Sequence, residues 1–81
     1  MRDIFILNTI FVKEMTNVTK KIAYGEMTDK EGESKNKFFD KAIKIWEKVM
    51  DLFMEGYEAG SKELDKKLGE FEQLLKNEGL L

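Results

Sequence analysis

The sequence contains neither cysteine nor histidine. Without cysteine it has no disulfide and no thiol nucleophile, and without either residue it lacks the usual ligands of zinc. Histidine is also the side chain that most often serves as a general base. The two serines, Ser34 and Ser61, stand where helix N-caps are expected. We therefore expect a protein that is not an enzyme, with no catalytic residue, no bound metal and no cofactor.

Arginine is almost as scarce, because every basic residue except Arg2 is a lysine. The guanidinium group is the side chain best suited to bidentate recognition of phosphates and base edges. The chain carries 14 basic and 16 acidic residues, for a formal net charge of −2. It therefore has no strong field to attract a polyanion, and we do not expect nucleic acid to be its partner.

Long apolar runs are missing too. The most apolar stretch, IFILNTIFV, covers only residues 4–12, whereas a helix that crosses a bilayer needs about 20 apolar residues. The charges of Arg2 and Asp3 cancel before it, and Lys13 and Glu14 follow where an export signal would carry small residues. The stretch predicts neither a membrane span nor a signal. We expect a cytoplasmic protein, in the host cytoplasm if a phage encodes it.

The residue types of this stretch favour a β-strand, since isoleucine, phenylalanine, valine and threonine dominate it. We predict a strand over about 3–13 and a second over about 18–24, joined as a β-hairpin by a turn at 15–17. Both faces of the first strand are mostly apolar, which is typical of a strand covered on both sides. The second strand leaves residues 4–8 without a neighbour. Their open backbone groups predict pairing with another chain.

The segment 25–34 predicts a loop, because it combines two glycines with charged and small polar residues. Thr28 and Glu31 have the spacing of a capping box, but Gly32 disfavours a helix start there. Ser34 is therefore the preferred N-cap of the helix that follows.

Two helices are predicted after the loop, over about 35–58 and about 62–77, separated by a turn near Gly60. The first helix is apolar over more than a third of its circumference, which predicts contacts on two sides. Trp46 lies in the middle of its apolar stripe and is predicted to be buried. The alternative is one long helix through both segments. It would cost about 2 kcal/mol for Gly56 and Gly60 relative to alanine and would require a dimeric coiled coil.

Together these elements predict one α+β domain of 81 residues, in which an N-terminal β-hairpin packs on a C-terminal α-helical hairpin (ββαα). A domain of this size without disulfide or metal usually needs very good helix packing or a partner chain, so we expect a homo-oligomer. Apolar residues of the first strand and of the long helix are the predicted contacts with a second copy or with a protein target: Ile4, Phe5, Ile6, Leu7, Phe39, Phe53 and Tyr57.

The expected function is that of a small non-enzymatic interaction module that binds a macromolecular partner. In composition the chain, cysteine-free and rich in lysine, glutamate and isoleucine, resembles phage or mobile-element accessory proteins, which include inhibitors of host defence systems. The alternative is an oligomer that sequesters a nucleotide or another phosphorylated small ligand between subunits. Basic and aromatic side chains would bind it: Arg2, Lys20, Lys21 and Tyr24.

Overall fold

The computed structural model describes residues 3–56 and 62–81, and over those residues it contains three α-helices and no β-strand. The helices are α1 (Ile4–Ala23), α2 (Asp29–Met54) and α3 (Lys62–Asn77). The predicted α+β class is therefore wrong, and the fold is all-helical. Phe11 contacts Phe38 while Glu14 contacts Lys35, so α1 and α2 run antiparallel.

The predicted strands over 3–13 and 18–24 both lie in α1, and the predicted turn at 15–17 lies inside that helix. The apolar side chains recur at helical spacing as well as alternating between strand faces. Ile4, Leu7, Phe11, Met15 and Val18 form one side of the helix and are buried or half-buried against the core. Burial of this side against α2 and α3 outweighs the β-preference of the individual residues, which is weak and depends on context.

Local signals fix both ends of α1. The Asp3 carboxylate accepts hydrogen bonds from the backbone N–H groups of Phe5 (2.9 Å) and Ile6 (3.2 Å), as an N-cap does. At the other end Gly25 has φ +68°, a left-handed conformation that glycine adopts without strain. The Glu26 N–H then donates to the Lys21 carbonyl over 2.8 Å, which closes a Schellman-type helix end.

A capping box formed by Thr28 and Glu31 starts α2, so the expectation that Gly32 prevents a helix start there is wrong. The Glu31 N–H donates to Thr28 Oγ1 (3.2 Å), and the Thr28 N–H donates to Glu31 Oε1 (3.2 Å). Bonds from the Thr28 backbone and hydroxyl also hold the pKa of Glu31 below its ordinary value. Gly32 lies within the helix at an intrinsic cost of about 1 kcal/mol, which the cap offsets. The predicted loop over 25–34 is therefore wrong beyond Thr28, and Ser34 is an exposed residue inside α2.

The predicted helix over about 35–58 corresponds to α2, which starts and ends earlier. α2 ends at Met54, Glu55 caps it, and Gly56 has φ +91°, so one unbroken helix through 35–77 is excluded. The predicted helix over about 62–77 corresponds to α3.

Within the part of the chain that the structure describes, one hydrophobic core lies between the helices. α2 and α3 pack on each other most extensively, and α1 contacts both. Phe71 is fully buried, and its ring centroid lies 5.5 Å from that of Phe11 and 5.4 Å from that of Trp46. Trp46 packs against this core but is half-buried rather than enclosed, so its predicted burial is only partial. Aromatic side chains therefore join all three helices.

Candidate functional site

One exposed side of α1, between the side that packs on the core and the side that carries Lys13 and Lys20, is uncharged along its length. At about 100° per residue, the uncharged residues on this side fall within about 80° of arc. All of them are exposed. We call this set the outer stripe: Phe5, Thr9, Val12, Thr16, Thr19 and Ala23. Phe5 is 80% exposed and Val12 is 48% exposed, although both are large apolar side chains.

The threonines of the outer stripe have already used their hydroxyl protons. Thr9 donates to the Phe5 carbonyl (2.8 Å), Thr16 to the Val12 carbonyl (3.0 Å) and Thr19 to the Met15 carbonyl (2.9 Å). A hydroxyl that is paired in this way can leave water without creating an unsatisfied donor. The outer stripe therefore presents methyl groups and satisfied oxygens, and it is more apolar than its residue types indicate.

The two margins of the outer stripe differ. On one side lie Ile6, Lys13 and Lys20, all exposed, which bring two positive charges. On the other side lie the uncharged residues Asn8, Met15 and Ile22. The remaining charge of α1 is on Lys21 and on Glu14, which points toward the other helices.

Three side chains on different parts of the fold anchor α1 in this orientation, and we call them the Lys35 triad. The Lys35 ammonium group donates to Glu14 Oε2 (2.8 Å) and to Glu78 Oε2 (2.7 Å), and it also lies 5.9 Å from the Phe38 ring centroid. Partial burial acts to lower the pKa of Lys35. The two hydrogen bonds and the charges of Glu14 and Glu78 outweigh that effect, so this pKa lies above its ordinary value.

A shallow groove of about 520 Å³ runs between α2 and α3. It is open to solvent, and its lining combines aliphatic carbon with charges of both signs: Lys41, Lys44, Ile45, Glu70, Gln73, Leu74 and Asn77. The charged residues of the lining are two lysines and one glutamate, and no polar side chain of the lining is buried. This arrangement does not distinguish an anion from a cation, so we assign no ligand to the groove.

The structure separates the residues predicted to form an interface. Leu7 is buried within the protomer, and Ile4, Phe39 and Phe53 pack against its core. Phe5 and Ile6 are exposed on α1, and Tyr57 lies outside the described residues. Sequence reasoning missed most of the outer stripe. Its signal was the 4-3-4-3-4 spacing of residues 5, 9, 12, 16, 19 and 23, which becomes visible once the segment is read at helical period.

The residues predicted to bind a phosphorylated ligand lie at the C-terminal end of α1. Lys20 and Lys21 are in its last turn and Tyr24 follows as the C-cap, 75% exposed, while Arg2 lies outside the described residues. A helix C-terminus carries partial negative charge, which attracts lysine and repels phosphate. The two lysines are therefore explained by the helix end itself.

Two further features bear on the chemistry of the chain. Within residues 3–56 and 62–81 no group of three or more acidic side chains is arranged to hold a metal ion. None of the helices, over the same residues, combines the length and the apolar character that a bilayer crossing requires.

No protein-family model, no curated protein and no solved structure matches the chain.

Proposed function

We propose that this chain is a non-enzymatic protein-interaction module that binds its partner through the outer stripe of α1. The observation that supports this proposal is the exposure of Phe5 and Val12 on a helix side with no charge. Contiguous apolar surface of this kind marks interaction sites on small domains. The exposed side of α2, by contrast, carries mostly lysine, aspartate and glutamate, as a solvated helix surface does.

The in-helix hydrogen bonds of Thr9, Thr16 and Thr19 support the same proposal, because they lower the cost of removing the outer stripe from water. The stripe is also formed before any partner arrives, since α1 is already packed on α2 and α3. Little conformational entropy is then lost on binding.

The broader role in this proposal is that of a phage or mobile-element accessory protein that inhibits a host defence system from the host cytoplasm. Composition is the support for this part of the proposal. Its partner would be a protein with an uncharged, apolar surface rather than a nucleic acid.

A capture experiment with three baits tests the proposal. The wild-type protein, Val12→Glu and Asn36→Glu are immobilised and exposed to extract of the source cell, and the bound proteins are quantified by mass spectrometry. Val12→Glu puts a charge in the outer stripe, whereas Asn36→Glu adds the same charge to an exposed position of α2. Helical circular dichroism of all three must be the same.

We expect proteins, which can include further copies of this chain, that the wild-type and Asn36→Glu baits retain and the Val12→Glu bait loses. If every captured protein binds the three baits equally, the outer stripe is not an interaction surface. A thermal-shift screen with nucleotides complements the experiment, because a ligand that binds only the native state raises its Tm. We expect no shift.

A further inference from the structure

We propose that the groove between α2 and α3 is a second docking surface, which takes an acidic amphipathic helix of a partner protein. This surface is separate from the outer stripe, so the inference goes beyond the proposed function and does not depend on it. The lining of the groove alone does not select a small ligand. The side chains around the groove, however, select the charge of a larger partner.

A row of exposed lysines on α2 follows the groove. At about 100° per residue its members fall within about 60° of arc around α2 and span about 17 Å along its axis. We call this set the lysine row: Lys37, Lys41, Lys44 and Lys48. Lys41 and Lys44 line the groove, and Lys37 lines a depression of about 320 Å³ that shares Lys41 and Leu74 with it. The α2 side of the groove is therefore basic.

No side chain within residues 3–56 and 62–81 forms an ion pair with the lysine row. Other lysines are paired: Lys67 contacts Glu70 (3.1 Å), and Lys35 contacts Glu78 (2.7 Å). The two glutamates that line the groove and its continuation are thus both bonded to lysines outside the row. An incoming carboxylate can contact the lysine row without breaking an internal ion pair.

The acidic residues that neighbour the lysine row in sequence lie on a different side of α2. Asp40, Glu47 and Asp51 fall within about 40° of arc, centred about 70° away from the lysine row. None of the three lines the groove or its continuation. A partner that lies in the groove therefore contacts the lysines and not these acids.

α1 leaves this side of the α2–α3 pair open. None of its described residues lines the groove or its continuation. About 160° of arc around α2 separates Lys41 from Phe39, whose ring contacts Phe11 of α1. α1 therefore packs on one side of the helix pair, and the groove on the other side is exposed to solvent.

The apolar part of the lining distinguishes a helix of a protein from a nucleic acid. Half-buried Ile45 and Leu74 line the groove beside the lysines, and Gln73 donates to Asn77 (2.9 Å), which satisfies part of the polar lining internally. An amphipathic helix places apolar side chains in such a groove, whereas a phosphate backbone has none to place there. Charge complementarity then requires carboxylates along the margin of that helix that faces the lysine row.

Fluorescence anisotropy with three labelled synthetic peptides tests the occupant. The acidic probe is an amphipathic helix former with leucines on one side and glutamates along one margin. The basic probe has lysine in place of each glutamate, and the polar probe has serine in place of each leucine. We expect saturable binding of the acidic probe alone, weaker at higher ionic strength. No saturable binding of the acidic probe at millimolar protein, or equal binding of the basic probe, overturns the inference.

Charge reversal in the protein tests the site. Lys41→Glu combined with Lys44→Glu should weaken binding of the acidic probe by about tenfold or more. Both lysines are exposed, so the helical circular dichroism should not change. The matched control is Lys13→Glu combined with Lys20→Glu, which reverses two exposed charges on α1 and should leave binding unchanged. Equal weakening by the two double variants would show that net charge alone attracts the probe, and it overturns the site.

Duplex DNA is the probe for a general anion site. If duplex DNA or the polar probe binds as tightly as the acidic probe and depends on Lys41 and Lys44 in the same way, the lysine row binds anions without the groove and the amphipathic occupant is overturned. Val12→Glu should bind the acidic probe as the wild-type protein does, because Val12 lies on α1. A loss of binding in that variant would contradict the independence of the two surfaces.

Discussion

Replacing Lys35 with methionine should weaken the packing of α1 on the other two helices more than the same replacement of any exposed lysine of α2. Methionine keeps the length and the apolar stem of the side chain but removes the charge that joins Glu14 and Glu78. The two carboxylates would then stay close to each other, partly buried, without a cation between them. Breaking a buried ion pair by removal of one partner is destabilising for this reason.

The magnitude follows from the two hydrogen bonds. A bond to a charged group contributes a net 1.5–3 kcal/mol as an order of magnitude. The three side chains keep 14–24% of their surface exposed, so water weakens each bond and we expect a total of about 2–3 kcal/mol. In a domain of this size such a loss lowers Tm by about 10–20 °C.

Urea unfolding followed by circular dichroism measures the change, with Lys37→Met as the matched control. Lys37 is an exposed lysine of α2, and its substitution should change the free energy of unfolding by less than about 0.5 kcal/mol. Glu14→Gln alone and combined with Lys35→Met completes a double-mutant cycle, in which the two changes should not be additive. Equal stability of Lys35→Met and Lys37→Met would show that the triad does not anchor α1.

The same triad predicts a dependence on alkaline pH. Because the pKa of Lys35 is raised in the folded state above its ordinary value of 10.5, its contribution is fully present below about pH 10.5 and is lost as the pH rises through the higher, folded value. The stability difference between the wild-type protein and Lys35→Met should therefore be constant from pH 7 to about pH 10 and close at higher pH. A difference that closes below pH 9 would contradict this assignment.

Three other substitutions, with Ser34→Ala as a control, test the core and the start of α2. Phe71→Ala should cost about 3–5 kcal/mol and shift the emission of Trp46 to longer wavelength, since the two rings are in contact; unchanged emission would contradict the packing. Thr28→Ala should cost about 1 kcal/mol and Ser34→Ala almost nothing; equal costs would show that α2 does not begin at the capping box. The pKa of Glu31 is lowered in the folded state, so its contribution to stability is present above the ordinary value of 4.5 and is lost as the pH falls through the lower, folded value. The stability difference between the wild-type protein and Glu31→Ala should therefore shrink in acid. A difference that grows in acid would contradict the capping role.

The sequence was sufficient for the parts of the fold in which one periodicity dominates. In α2 and α3 the apolar residues fit a helical spacing and no other, so these helices were predicted, with errors at the boundaries. In α1 the same residues fit two periods. Ile4 and Ile6 share a strand face, while Ile4 and Leu7 share a helix face, and both spacings place apolar side chains together. The choice depends on what the segment packs against, which the sequence of the segment does not contain.

Other features depend on contacts between distant parts of the chain. The Lys35 triad joins side chains separated by 21 and 43 positions, and nothing in the neighbouring sequence of Lys35 marks it among the other lysines. The outer stripe is different. Its spacing was readable, but only after the helical period of residues 4–23 was established, because the same residues divide between two faces when the segment is treated as a strand.

The turn between α1 and α2 determines whether the first helix stays with its own chain. It consists of the five residues 24–28 between the helix boundaries, and Gly25 reverses the chain direction with a φ that other residues adopt only under strain. A side chain at this position would meet no neighbour within 4 Å, so the strain in the backbone is the whole penalty. In a variant with another residue at position 25, straightening the turn would relieve this backbone strain by joining α1 and α2 into one continuous helix. α1 would then reach the core of another molecule. Exchange of identical elements in this way produces domain-swapped dimers. Gly25 therefore favours a protomer that keeps its own first helix over one that exchanges this helix with another copy.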